Sequence, residues 1–262
     1  MREKLLIANW KMNFSVIESS KKSRQLEVLF EDKLQNRMQN KKNKSDVKII
    51  ICPNYLSLKS VHDILGGKLY LGVQSITHLS ESEGAFTGEI SGALVREFAE
   101  FAIIGHSERR NMLMETNSEI SEKLLFCSKN NIRPILCLGE NQETRSNDSH
   151  LTYVINQLRN SVSDFKEWGS LIVAYEPVWA IGTGVACEPE DAVQMIRTIR
   201  RELKIISGSD LIPVLYGGSV SSSNIGVLID SGDIDGALIG TSSMNPLEFH
   251  EIINICTKMW EK

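Results

Sequence analysis

The chain of 262 residues has no C-x-x-C pair; its cysteines, Cys52, Cys127, Cys137, Cys187 and Cys256, are an odd set at wide spacing. That weighs against a disulfide framework and a zinc knuckle, so free thiols and no bound metal are expected. No apolar run is long enough to span a bilayer, and no membrane partner is expected. The chain enters Leu5-Leu6-Ile7-Ala8 almost at once, too short a stretch for the apolar core of a secretion signal. With free thiols, this makes a cytoplasmic location the expectation. An excess of basic charge is missing as well: the formal net charge is −4, which argues against nucleic acid as the main partner. There is no internal repeat, low-complexity linker or composition break, so one domain over residues 1–262 is expected. The apolar fraction of 42% and charged fraction of 24% suit a chain that buries a core without covalent staples.

What is present is a rhythm of short apolar runs between longer amphipathic stretches. The runs are Leu5–Ala8, Val47–Cys52, Leu69–Val73, Phe101–Ile104, Arg133–Leu138, Leu171–Tyr175, Leu211–Leu215 and Ile234–Ile239. Most are continuously apolar, as parallel strands covered on both faces require. Between them, Ser118–Asn130 sets Ile120, Leu124 and Cys127 on one side, and Glu188–Ser207 carries Pro189 in its first turn with Val193, Ile196 and Ile199 in period. About eight such units make an α/β protein with two possible closures, a (β/α)8 barrel or a doubly wound sheet, and the pattern favours the barrel. One segment stands apart: Asn36 to Asp46 holds Arg37, Lys41, Lys42 and Lys44 with almost nothing apolar, and reads as a solvated connection.

In parallel α/β folds, ligands meet the carboxyl ends of the strands. Asn9 and Lys11 follow the first run; His106, Ser107, Glu108 and Arg109 follow the fourth; Glu176 follows the sixth. Gly217-Gly218-Ser219 and Gly240-Thr241 follow the last two. Taken singly, each has a plain explanation: a solvated lysine, a structural histidine, a strand-ending glutamate before Pro177, a tight glycine turn. What favours a functional site is the joint occurrence of a cation, an imidazole, a carboxylate and glycine turns at strand ends, which a barrel would bring to one mouth.

Five segments resemble the triosephosphate isomerase family. They are Ala8-Asn9-Trp10-Lys11-Met12-Asn13, Gly84-Ala85-Phe86-Thr87-Gly88-Glu89, Ile104-Gly105-His106-Ser107-Glu108-Arg109-Arg110, Ala174-Tyr175-Glu176-Pro177-Val178-Trp179-Ala180-Ile181-Gly182-Thr183-Gly184 and Tyr216-Gly217-Gly218-Ser219-Val220. The resemblance runs from Lys4 to about Phe249 and implies the (β/α)8 TIM-barrel fold. It also implies a cofactor-free aldose–ketose isomerase of glyceraldehyde 3-phosphate and dihydroxyacetone phosphate, acting in glycolysis and gluconeogenesis through an enediolate. Carried over residue by residue, Glu176 is the base and His106 the neutral imidazole that polarises the carbonyl. Lys11 is the fixed cation, Asn9 a donor to substrate oxygen, and Glu108 the residue that orients Lys11. Phosphate falls to backbone amides at Gly182 in a lid, at Ser219, and at Gly240 with Thr241. A homodimer is implied, with the Thr87 loop reaching the neighbouring subunit's Asn9 and His106. Cys137 matches a family cysteine packed behind the base, read as structural.

The chain departs from the family pattern in places. Thr241 stands where a second glycine is usual; the amide survives, and a negative φ, which is expected, leaves phosphate binding intact, whereas a position that needs positive φ would lower the affinity. Val185 replaces a common lysine, Ser75 a customary asparagine, and Glu97 to Ile104 is one residue short without the usual turn glycine.

Overall fold

The computed structural model describes residues 1–31, 47–180 and 187–261. The basic segment 36–46 and the lid positions Gly182 and Val185 lie outside the described residues.

Among the described residues eight strands form: β1 (Leu5–Asn9), β2 (Lys48–Cys52), β3 (Tyr70–Val73), β4 (Phe101–Ile104), β5 (Arg133–Leu138), β6 (Ile172–Tyr175), β7 (Val214–Tyr216) and β8 (Gly236–Ile239). They pair in chain order, all parallel, and β8 closes on β1. The barrel is therefore realised and the doubly wound sheet is not. Each apolar run of the sequence holds a strand, though β7 starts three residues late. Pro213 has no N–H for the ladder, although its carbonyl still accepts from Val173 N at 3.0 Å.

Helices occupy the connections: α1 (Val16–Leu29), α2 (Tyr55–Leu65), α3 (Gly92–Val95), α4 (Ser107–Met112), α5 (Asn117–Lys129), α6 (Gln142–Ser146), α7 (His150–Ser161), α8 (Pro189–Ser207), α9 (Ile225–Asp230) and α10 (Pro246–Trp260). Their ends follow local chemistry. α5 opens one residue before the expected Ser118 because Thr116 and Glu119 form a capping box. α8 has Glu188 as its cap, Pro189 in its first turn and Gly208 at φ 72° after its last residue. Among the described residues, no helix is long and apolar enough to cross a membrane.

Strand periodicity sorts the core into two layers. Leu5, Ile7, Ile50, Phe101, Ile103, Ile135, Ile172, Ala174, Leu215 and Leu238 fill the barrel interior. Their neighbours Leu6, Ala8, Ile49, Ile51, Ala102, Ile104, Leu136 and Val173 face the helices. Both strand faces are thus buried, which is why the runs carry no polar alternation. The interior series has period two, and in six of the strands it continues to a next member at the carboxyl end. That member is Asn9 after Leu5 and Ile7, Gln74 after Tyr70 and Gly72, and Glu176 after Ile172 and Ala174. After β5, β7 and β8 it is glycine: Gly139, Gly217 and Gly240. At Gly139 and Gly217 the reason is close approach. A Cβ on Gly139 would collide with the Glu176 backbone, and one on Gly217 would stand 3.0 Å from Glu176 Cγ.

At the opposite end, Asp235 precedes β8 and is fully buried. Its carboxylate accepts from Arg2 Nε at 2.9 Å, Lys4 Nζ at 3.0 Å and Val214 N at 3.1 Å, and it also pairs with Arg200.

Candidate active site

A cavity of about 650 Å³ opens at the carboxyl ends of the strands. Asn9, Lys11, His106, Glu108, Glu176, Ser219, Gly240 and Thr241 all line it, so the described residues expected to handle substrate and phosphate meet there, whereas Thr87, Cys137 and Arg109 lie outside its lining.

Lys11 follows β1 with a positive φ of 52°, a conformation that costs a side-chain-bearing residue energy unless its surroundings enforce it. Two contacts do so. Asn9 Oδ1 accepts from Lys11 N at 3.1 Å, and Gln74 Nε2 donates to Lys11 O at 2.8 Å and to Cys52 O at 3.0 Å. The Asn9 bond uses its oxygen and leaves its amino group as the donor for a bound ligand. Lys11 Nζ is 2.5 Å from Glu108 Oε1. Glu108 ties Lys11 rather than Arg109, and its side chain is 42% exposed. Arg109 turns instead to Glu115 at 3.1 Å. Gln74 was missed in the sequence, although it obeys the same rule that exposed Asn9 and Glu176: next inward position after a strand.

His106 caps α4 and is buried. Its Nδ1 accepts from Glu108 N at 3.3 Å, and its Nε2 lies 2.9 Å from Glu176 Oε1. The pattern is that of an imidazole with its proton on Nε2, donating to the carboxylate; a second proton on Nδ1 would face the Glu108 amide hydrogen. Burial pushes the ring's proton affinity down, and the Glu176 charge outweighs it and raises it above the usual histidine value. That pull exists only while the carboxylate is in place.

Glu176 is 1% exposed. Burial alone raises a carboxyl, but His106 and the Ser107 amide, at 2.9 Å from Oε2, hold it below the ordinary carboxylate range, with help from Lys11. Removing those donors in a dry pocket would restore its basicity. Behind it, Cys137 is fully buried, and burial followed by the Glu176 charge pushes its thiol far up. That is the environment of an inert packing cysteine.

After Glu176 the chain makes a 3-10 turn, Val178–Ala180. Glu140, buried at the end of β5, fixes it: its Oε1 accepts from Trp179 Nε1 at 2.9 Å and from Tyr175 OH at 3.0 Å. Arg145 stacks over the Trp179 ring at 4.3 Å and pairs with Asp191 at the start of α8. Both flanks of the lid positions are thereby tied to one another through Arg145.

Across the cavity, Gly240 leads into a second 3-10 turn, Thr241–Met244. Thr241 is not among the residues of positive φ, so the threonine is accommodated without backbone strain. Ser75, another of the departures, is buried and accepts from Lys123 Nζ at 3.1 Å, while Lys123 pairs with the buried Glu115. Thr87 lies exposed on the connection between β3 and α3. Among the described residues, no group of three or more His, Cys, Asp or Glu is placed to hold a metal ion.

Fold and cavity define the class: an α/β-barrel enzyme with acid–base groups and glycine turns gathered at the carboxyl ends of its strands. A model of the triosephosphate isomerase family matches residues 4–256. The triosephosphate isomerase of Roseiflexus castenholzii is 37% identical over 261 residues, covering 97% of this chain and 98% of that protein. That of Cytophaga hutchinsonii is 35% identical over 261 residues, covering 96% and 98%. That of Mycolicibacterium vanbaalenii is 34% identical over 257 residues, covering 95% and 94%. The chain belongs to the triosephosphate isomerase family.

Proposed function

We propose that the chain, acting as one catalytic domain, interconverts glyceraldehyde 3-phosphate and dihydroxyacetone phosphate as its family does. The observation that carries this reading is the cavity in which a releasable carboxylate, Glu176, rests 2.9 Å from an Nε2–H imidazole, His106, with the Lys11 ammonium beside the β8 turn. The division of roles is the one by which this family is generally explained.

Glu176 leaves His106 and the Ser107 amide and takes a proton from the carbon beside the substrate carbonyl. The electron pair moves onto the carbonyl oxygen, which receives the His106 Nε2–H hydrogen bond that the carboxylate had occupied. Lys11 and the Asn9 amide offset the charge of the enediolate and phosphate, and Glu108 orients Lys11. The former carbonyl oxygen takes a proton while the neighbouring hydroxyl oxygen gives one up, an exchange the His106 Nε2 edge is placed to relay, and Glu176 returns its proton to the neighbouring carbon, giving the isomer. Phosphate binds the amides at Ser219, Gly240 and Thr241, and at Gly182 of the lid. The oxidation of one carbon is matched by the reduction of its neighbour in the same molecule, so the reaction needs no external oxidant or reductant.

Two further parts of the reading have support of their own. Met12, Leu56, Phe86, Met112, Leu113 and Met114 are large, apolar and at least 40% exposed, and all come from connections after β1–β4. Such an accumulation suits a second copy of the chain seated there, with the Thr87 loop reaching into it. Sedimentation at micromolar concentration is expected to give a dimer, and a stable monomer would overturn this part. Five free cysteines suit work in a reducing cytoplasm. The central test is a coupled assay with glyceraldehyde 3-phosphate and no added cofactor. Turnover is expected, with Glu176→Asp lowering kcat by orders of magnitude because a carboxylate drawn back by about one methylene misses its proton. No turnover by the parent chain sinks the proposal.

A further inference from the structure

Of the two residues that close β8, the first faces Lys11 and the second carries a side chain. A Cβ at Gly240 would lie 3.5 Å from Lys11 Cε and 4.0 Å from Nζ, so any longer side chain there would crowd the ammonium. Thr241 is one step on, exposed, lining the same cavity, in a backbone conformation open to any residue.

Four hydroxyl residues line this side of the cavity: Ser219, Ser221, Thr241 and Ser242. Two are engaged within the protein. Ser242 Oγ donates to Val220 O at 2.6 Å, and Ser221 Oγ pairs with Ser223 Oγ at 2.7 Å. Among the described residues, the Thr241 and Ser219 hydroxyls have no protein partner. An exposed threonine hydroxyl is ordinarily satisfied by water. Here it stands next to the residue against which Lys11 packs, at the end of the cavity where an anion gains most.

We propose that the Thr241 hydroxyl donates a hydrogen bond to the substrate phosphate, adding a side-chain ligand to the backbone amides of the β8 turn. The inference rests on the functional reading above and extends its anion site. A hydroxyl bond to a dianion is charge-assisted, and its loss on a partly solvated site is worth about tenfold in affinity. It acts on bound substrate and transition state alike, so its signature falls on KM.

The experiment compares Thr241→Val, which keeps the shape and removes the donor, with Thr241→Ser and Thr241→Gly. Three quantities are read: the competitive inhibition constant of inorganic phosphate, kcat and KM for glyceraldehyde 3-phosphate, and deuterium exchange into unphosphorylated glyceraldehyde. Thr241→Val and Thr241→Gly are expected to raise the phosphate constant and KM about tenfold and to lower the preference for phosphorylated over unphosphorylated substrate by the same factor. Thr241→Ser should stay within about threefold of the parent, because the donor remains. Thr241→Val indistinguishable from the parent removes the hydroxyl from the site. Tighter phosphate binding by Thr241→Gly makes the side chain an obstruction and equally overturns the proposal. An unaltered substrate preference locates the effect at the acid–base groups instead, with the same consequence. An inactive parent chain refutes the functional reading itself, whereas an active parent with insensitive variants refutes only the role of Thr241.

Discussion

Two carboxylates are buried at opposite ends of this barrel, and their surroundings differ in one respect that separates scaffold from site. Asp235, at the floor, is held by Arg2, Lys4, Arg200 and the Val214 amide, donors from the N-terminal segment, α8 and β7. Glu176, at the mouth, is held by His106 and the Ser107 amide, both from the single junction of β4 with α4. Burial raises the proton affinity of each, and the partners of each outweigh it and leave both below their ordinary range. The electrostatic result is the same and the mechanical one is not. A group pinned from several directions has no one motion that frees it, whereas Glu176 escapes both partners by withdrawing from one corner.

Substitutions can break this contrast. Glu176→Gln is expected to lower kcat by about 10²–10⁴-fold, the usual contribution of a positioned base. Its cost in folding should be about 1–3 kcal/mol, because the amide oxygen keeps one of the two donors while the amide NH2 faces the other, and the group no longer needs its charge compensated. Kinetics and urea unfolding of the same preparation read both. A large loss of stability would mean that Glu176 is as structural as Asp235.

Asp235→Asn should do the reverse. Leaving three cations around a neutral amide is expected to cost about 3–5 kcal/mol of unfolding free energy at neutral pH, with kcat little changed. The pH dependence has a definite sign. A depressed folded-state pKa contributes stability above the ordinary aspartate value of 3.8, and that stability is lost as pH falls through the depressed value. The parent should therefore lose stability below about pH 4, and the asparagine variant should lose less over that interval. Unfolding followed by fluorescence from pH 6 to pH 3, at fixed protein concentration, measures the difference. Parallel curves would show that the floor carboxylate does not carry the acid sensitivity.

The contrast also explains what could be read in the sequence. The barrel was legible because both strand faces are buried, giving eight apolar runs of strand length, and because long motifs carried a family resemblance. Glu176, His106, Lys11 and Asn9 were legible as polar residues at strand ends. Gln74 occupies an equivalent place and went unremarked, since its role is to clamp the Lys11 backbone and nothing in composition announces that. Asp235 was hidden inside an apolar run, and its partners Arg2, Lys4 and Arg200 come from distant parts of the chain that meet only when the barrel closes. The acceptability of Thr241 was a question of one dihedral, which residue identity leaves open.

The finest test of the contrast lies in the redundancy at the floor. Arg2 is one of three cations on Asp235, and its side chain is 29% exposed, so water already screens part of its charge. Arg2→Met keeps an apolar stem over the barrel end and leaves Lys4 and Arg200 in place, for an expected loss of about 1 kcal/mol or less. In the Asp235→Asn background the same change should cost less still, or stabilise, because the cation then has no anion to serve. If Arg2→Met alone costs as much as Asp235→Asn, the carboxylate depends on one partner after all. The floor would then be held as precariously as the mouth, and the number of independent donors would no longer account for which of the two carboxylates is free to move.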